Sequence, residues 1–570
     1  MLRFLGLVAL GALIGCLAAL AAMGFVGAVI WLNDLLLISP RGRMMFAHPE
    51  ALAIATVVVP TLGGLVVGQL HRAIREGRPH TPADVIAAVQ TRRGRLPARA
   101  GLLSALSGLV SLGSGASVGQ YGPLVHMGAS LGSLGANLLR LGRSDDNVAI
   151  AAGVAAAIAA AFHAPLAGIV FAHEVVLRHY ALRAFAPVAA AAIAGHVVAT
   201  HTLARGALFH VTDTAVPHPW EFAAFLLIGG VGALVAGAYM HAILAVGRWA
   251  ARLPLAPPLR PALAGAALGL VALWVPDILG MGQETLRFAT IQGAFGSLDL
   301  VIVLVLKLAA TALCIGMGFG GGVFSPALVI GTLFGALCGS WVTQAGFAGD
   351  TFVFYAVCGM VAVTAPVIGA PLTTLLIVFE LTGSYVLTTA ALASVTLASP
   401  IAAQLFGRSL FDTQLARRGL DLSAGRSRAL LQSARLKDLI SQDCVTLGPG
   451  TSVDEAVATL SASGHGEAYR VNERHCYRGS VMLADLEVMR GRGQGRLDVS
   501  ECRDTPRPVL DPEASIWEAM HHPQDVAGEA IVVADDRAGG VFRGVVYEAS
   551  ITRAYMQHSE ALQREEHGTG

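Results

Sequence analysis

Long apolar runs separated by short polar connections dominate the first three quarters of the chain. They cover approximately 4–33, 50–70, 99–118, 147–175, 182–203, 221–246, 260–274, 298–317, 323–342, 351–380 and 386–405. A straight membrane-spanning helix needs roughly 20 apolar residues, and several of these runs are clearly shorter or longer. The pattern predicts an all-α polytopic membrane domain with tilted, re-entrant and broken helices. Its first run, Phe4 to Val29 after Arg3, is too long for a signal peptide and is followed by further spans, so a first membrane helix is expected there. After about Leu420 the pattern changes. Short strand-like runs, Val445-Thr446-Leu447 and Ala530-Ile531-Val532-Val533, alternate with a helical period from Ser452 to Leu460. This predicts a soluble α+β domain. The expected boundaries are 1–420 for the membrane domain, 421–435 for a linker and 436–570 for the tail.

Two glycine-rich breaks interrupt apolar sequence, one from Gly113 through Gly119-Gln120-Tyr121-Gly122-Pro123 and one from Gly316 to Pro326. Lipid cannot satisfy backbone N–H groups at such a break, so it must be buried in protein or line a water-filled path. A helix starting near Tyr121, with Pro123 in its first turn, aims its N–H groups and positive end at the break. The expected occupant is an anion. The breaks belong to an internal repeat: Glu174 lies nine residues after Pro165 in Ala164-Pro165-Leu166, and Glu380 nine after Pro371 in Ala370-Pro371-Leu372. Pro123 precedes Pro165 by 42 residues and Pro326 precedes Pro371 by 45. Two halves with interrupted segments in corresponding positions point to a binding site at the repeat interface.

Composition narrows the function classes. The 570 residues are 54% hydrophobic and 14% charged, with mean hydropathy +0.63, as befits a membrane protein with a soluble appendage. A net charge of +1 suggests no nucleic-acid partner. The connection from His71 to Arg99 carries Arg72, Arg75, Arg78, Arg92, Arg93, Arg95 and Arg99 against Glu76 and Asp84, which puts it in the cytoplasm. Seven cysteines without a Cys-x-x-Cys pair argue against a disulfide framework or a zinc site. No nucleophile–base constellation suggests an enzyme, and no metal is expected.

The run Lys307-Leu308-Ala309-Ala310-Thr311-Ala312-Leu313, followed by Gly316, Gly318 and Gly321-Gly322-Val323-Phe324-Ser325-Pro326, resembles the signature of the ClC family of chloride channels and chloride/proton antiporters. Gly119-Gln120-Tyr121-Gly122-Pro123 resembles that family's G-R/K-E-G-P element, and Ser409-Leu410-Phe411-Asp412 through Arg418-Gly419 its last membrane-domain helix. The resemblance covers roughly 1–420. It implies an inverted-repeat ClC-type fold and a homodimer with one anion pathway per subunit, carrying chloride or another small monovalent anion. By this likeness Gln120, Tyr121, Gly122, Gly322, Val323 and Phe324 are the expected anion-binding residues. The bacterial inner membrane is the expected location, with the tail in the cytoplasm.

The departures from the family pattern carry more information. Its gating glutamate falls on Tyr121, and a phenol with pKa about 10 stays neutral near pH 7. Tyr121 either blocks the path sterically or donates its hydroxyl to the ion. The internal proton glutamate of transporter members falls on Val175, beside Glu174, and channel members also carry valine there. Passive conduction without obligatory proton exchange is therefore expected, the alternative being an antiporter with an unconventional proton route through His173 and Glu174. A metal-ion transporter or an adenylate-responsive membrane sensor is a reading from another class, but isolated Glu174 and Glu380 supply no cluster of hard ligands. The family's coordinating serine falls on Pro79, a place where plant members with proline are associated with nitrate, and its coordinating tyrosine on Phe411.

Glu174 and Glu380 lie deep in apolar sequence, where a carboxylate is a functional candidate by default; their equivalence in the repeat favours a structural role. His126, His163 and His173 read as satisfied buried histidines, and Lys307 as a snorkelling or paired cation. Leu436 to Asp485 and Val499 to about Tyr555 resemble paired CBS modules, with expected bounds 436–490 and 499–558. Asp485 stands where such modules hold a nucleotide ribose, whereas Met482 and Tyr547 replace the usual Ser or Thr. A structural dimerisation module is favoured over adenine-nucleotide binding, and no cofactor is expected.

Overall fold

The computed structural model describes residues 1–46, 48–91, 96–202, 216–347, 351–422, 425, 428, 431–432, 434–522, 530–535 and 540–567. Arg92, Arg93 and Arg95 of the basic connection lie outside them. The chain divides into two compact units, Met1–Arg418 and Gly419–Glu565.

The first unit is helical, and among the described residues eight helices are long and apolar enough to cross a membrane. Two runs expected as single stretches are broken. The 147–175 run becomes the Arg143–Phe162 helix, a short Pro165–Phe171 helix and a π-helical turn, Ala172–Leu177. The 351–380 run becomes Phe352–Ile368 and Pro371–Thr382. The cause is the same in both repeats. His163 (φ 55°) and Gly369 (φ 70°) end the first helix in the left-handed region, and two residues later Pro165 and Pro371 start the next with their preset φ. Four short helices, Pro40–Met45, Pro82–Gln90, Gln283–Ala289 and Leu410–Ala416, fall outside the apolar runs altogether.

The repeat is visible element by element. Ala98–Gly113, Tyr121–Leu138, Arg143–Phe162 and Pro165–Phe171 correspond to Ser297–Gly316, Phe324–Gln344, Phe352–Ile368 and Pro371–Thr382. In each break a glycine six residues before the second helix takes positive φ, Gly115 at 84° and Gly318 at 102°, a conformation that costs glycine no Cβ clash. The Arg143–Phe162 helix is rich in alanine, the best helix former, after Asn147. Its small side chains allow close packing against the Tyr121–Leu138 and Leu182–Thr202 helices, which leaves it nearly wholly buried.

The second unit holds two three-stranded sheets of like topology. In the first, β1 (Val445–Leu447) runs parallel to β2 (Glu467–Val471), which pairs antiparallel with β3 (Tyr477–Met482). In the second, β4 (Val509–Leu510), β5 (Ala530–Ala534) and β6 (Phe542–Tyr547) repeat that order. Both sheets carry a register shift at the same place, Arg470/Val471 and Val533/Ala534. A mixed core of Tyr469, Tyr477, Val532, Phe542 and Val545 joins them. Leu431, from the stretch expected as linker, is buried with Leu510 and Ile516.

Candidate functional site

The two breaks meet. Gly119 and Gly322 form an antiparallel bridge in which each N–H donates to the other's carbonyl at 2.7 Å. The approach excludes any side chain: a Cβ on Gly322 would stand 2.6 Å from the Gly122 nitrogen, and one on Gly122 would stand 2.8 Å from the Gly322 Cα. Hydroxyls hold the flanks. Ser111 Oγ accepts from the Gly320 N–H at 3.0 Å, and Ser117 Oγ lies 3.0 Å from Thr311 Oγ1. Tyr239 donates its hydroxyl to the Val323 carbonyl at 3.2 Å.

Two helices begin at this junction, at Tyr121 and at Phe324, each with proline as its third residue. They run 18 and 21 residues, long enough to develop the positive partial charge of a helix start. Their first turns border a cavity of about 20 Å³ lined by Tyr121, Gly122, Val125, Gly322, Val323, Phe324 and Phe411, with Pro82, Ile158, Phe171 and Ile368. That volume holds one water or an ion of similar radius. No charged side chain is among its lining residues. Its charge complement therefore comes from backbone dipoles, an arrangement suited to an anion that must leave as well as enter.

Tyr121 is 4% exposed, and its ring is clamped in an aromatic cluster. It stacks on Phe162 at 3.8 Å with the planes 11° apart and meets Phe324 edge-on at 5.3 Å. Phe162 completes the triangle, 5.2 Å from Phe324. Gln120 is wholly buried, and among the described residues neither amide atom has a hydrogen-bond partner; its side chain is not among those lining the cavity. Pro79 does not line the cavity either, whereas Pro82, three residues on, does. Pro82 is the first residue of a helix fixed by a Thr81–Asp84 capping box, so the rigid loop presents that proline.

A larger cavity of about 510 Å³ is lined by Val175, His173, Glu174, Arg178, Ser409 and Asp412, among others, and shares Ile368 with the small one. Arg178 pairs with Asp412, the neighbour of Phe411, and so ties the end of the π turn to the last membrane-unit helix. His173 Nδ1 lies 2.8 Å from the His179 carbonyl, and none of its hydrogen bonds runs to Glu174.

Both repeat glutamates cap helices, each that of the opposite repeat. Glu174 accepts from the Leu372 N–H (3.1 Å), the Thr373 N–H (2.9 Å) and the Thr373 hydroxyl (2.7 Å). Glu380 accepts from Leu166 and Ala167 N–H groups, both at 2.8 Å. Such charge-assisted bonds at a helix start use the carboxylates structurally. Lys307 does not snorkel. Its ammonium is wholly buried and donates to the carbonyls of Ile278 (2.9 Å) and Gly280 (2.8 Å). In the second unit Asp485 is exposed in the first turn of the Leu483–Gly491 helix.

Sequence reasoning missed Phe162, Ile158, Phe171 and Tyr239. They sit in apolar helices and match none of the family elements that mark the site in the sequence. Two signals were available: the ending of an alanine-rich helix on Phe162, and the place of Phe171 in the repeat segment that leads to Glu174.

Inverted halves, breaks paired at their interface and a buried cavity between helix starts define a polytopic membrane protein of the ion-transporting class. Residues 62–403 match the family model described as voltage gated chloride channel. The chain belongs to that family. The voltage-gated ClC-type chloride channel ClcB of Citrobacter koseri is 30% identical over 407 residues, 70% of this chain and 96% of the relative. The crystal structure of a slow cyanobacterial Cl-/H+ antiporter superposes with a TM-score of 0.65 at 22% identity, covering 72% of this chain and 97% of that one. That of a eukaryotic CLC transporter gives 0.63 at 20% identity over 96% of this chain and 98% of its own.

Proposed function

We propose that the protein conducts chloride or a similar monovalent anion passively, through the small cavity between the two glycine breaks, without obligatory proton exchange. One observation carries the reading. The residue bordering the cavity where a titrating gate is expected is Tyr121, and the one in the adjoining larger cavity is Val175. Neither changes charge near neutral pH. Tyr121, Gly122, Gly322, Val323 and Phe324 form the anion site in this reading, with Gln120 just before the first of them in sequence, and Phe411 narrows it. Names among the relatives include both channels and antiporters, so the likeness alone does not choose between them. The capping bonds of Glu174 leave its carboxylate committed, which disfavours a His173–Glu174 proton route.

The functional unit in this reading is a homodimer in the plasma membrane. Residues 1–420 conduct, and two CBS-type modules, 436–490 and 499–558, form a cytoplasmic dimerisation tail. Reconstitution in liposomes tests the proposal. With an imposed proton gradient and equal chloride on both sides, no uphill chloride movement is expected, whereas a chloride gradient should drive chloride flux without stoichiometric counter-movement of protons. Uphill chloride accumulation would establish an antiporter.

A further inference from the structure

Two buried histidines stand close in sequence to residues that line the small cavity. His126 follows the cavity-lining Val125, and His80 precedes the cavity-lining Pro82 by two residues. Their rings meet edge-on at 5.1 Å, with His80 Nδ1 3.2 Å from His126 Nε2. His80 is 8% and His126 1% exposed. In the neutral pair one nitrogen donates and the other accepts. The outer nitrogens have places for one more proton: His80 Nε2 is 3.5 Å from a Glu76 carboxylate oxygen that is half-exposed, and His126 Nδ1 is 3.4 Å from Ser130 Oγ. Glu76 thus gives the pair an opening to water on the side of the basic connection.

The surrounding charges decide what that proton meets. Glu76 pairs with Arg78, and Asp84 with Arg78 and Arg418. From the Ala98–Gly113 helix the neutral Ser104 hydroxyl accepts from the His80 N–H at 2.8 Å, and from His126's own helix comes Ser130. Two carboxylates and two guanidiniums cancel, so a protonated pair has no spare fixed counter-charge. An anion in the cavity supplies one.

We propose that His80 and His126 form a single-proton site whose charge is the titratable counterpart of the anion, so that anion binding and proton uptake strengthen each other. The coupling is reciprocal, as linkage requires. It rests on the anion site proposed above. Among the described residues the half-exposed group that the pair meets is Glu76, so in this reading the pair tunes affinity without carrying protons across.

The test uses the full-length protein in detergent with chloride as the probe. Wild type should bind chloride about fivefold or more tightly at about pH 4.5 than at about pH 7.5, and adding chloride to a weakly buffered sample at about pH 5 should draw protons from solution. His126→Gln and, independently, His80→Asn should bring the affinity ratio close to one and suppress the proton uptake. Equal wild-type affinity at both pH values, or a ratio surviving both substitutions, overturns the histidine proposal and leaves the anion site intact. Absence of chloride binding at either pH overturns both.

Discussion

Tyr121 is held by its ring, which leaves its hydroxyl as the chemically distinctive group at the cavity. The stack on Phe162 and the edge contact with Phe324 fix the ring by dispersion and quadrupole terms that phenylalanine would reproduce. Tyr121→Phe therefore isolates the hydroxyl. If that hydroxyl donates to the ion, its loss weakens anion binding by about 1.5 kcal/mol, roughly tenfold in Kd, and shifts relative permeabilities. The check is isothermal titration with chloride alongside flux selectivity; unchanged values would assign Tyr121 to steric blocking alone. The tyrosine was legible in the sequence because it interrupts a recognisable glycine pattern. Its partner Phe162 was not, since a phenylalanine at the end of an alanine helix looks like ordinary core. Pro79 and Pro82 show the same limit: a loop's register is set by its capping box, which decides which proline reaches the cavity.

Among the elements, the crossed capping of helices by Glu174 and Glu380 gives the two repeats a mutual dependence. Each carboxylate accepts two backbone N–H groups from the other half. Glutamine keeps the shape but offers a neutral acceptor and a donor that faces donors. Glu174→Gln and Glu380→Gln should each cost about 1–2 kcal/mol of stability, read as a lower thermal midpoint in detergent, with passive flux per folded protein retained. Flux lost at unchanged stability would instead make the carboxylates part of the transport path. One asymmetry between the halves is local to these capped segments. Arg178 ends its segment 13 residues after Pro165, Gly383 ends its own 12 after Pro371, and the extra residue is taken up by the π turn Ala172–Leu177, as single-residue insertions in helices usually are. Motif spacing found the repeat and run lengths called for broken helices, but hydropathy did not place the breaks inside the 147–175 and 351–380 runs, because a left-handed histidine at 163 leaves no trace in an apolar average.

For the molecule as a whole, the pairing of Gly119 with Gly322 brings together sequence about 200 residues apart. The repeat spacing had pointed to this meeting, since corresponding breaks in two halves converge at a pseudo-symmetric interface. What spacing could not supply was the size of the resulting cavity or the uncharged character of its wall, which depend on residues from five further segments. The central claim is that this junction holds the anion. A crystal structure of the protein grown in bromide, with data collected at the bromine absorption edge, tests it most directly. An anomalous peak inside the cavity bounded by Tyr121, Gly122, Val323, Phe324 and Phe411 is the predicted result; bromide peaks that avoid this cavity and occupy another buried position would contradict it.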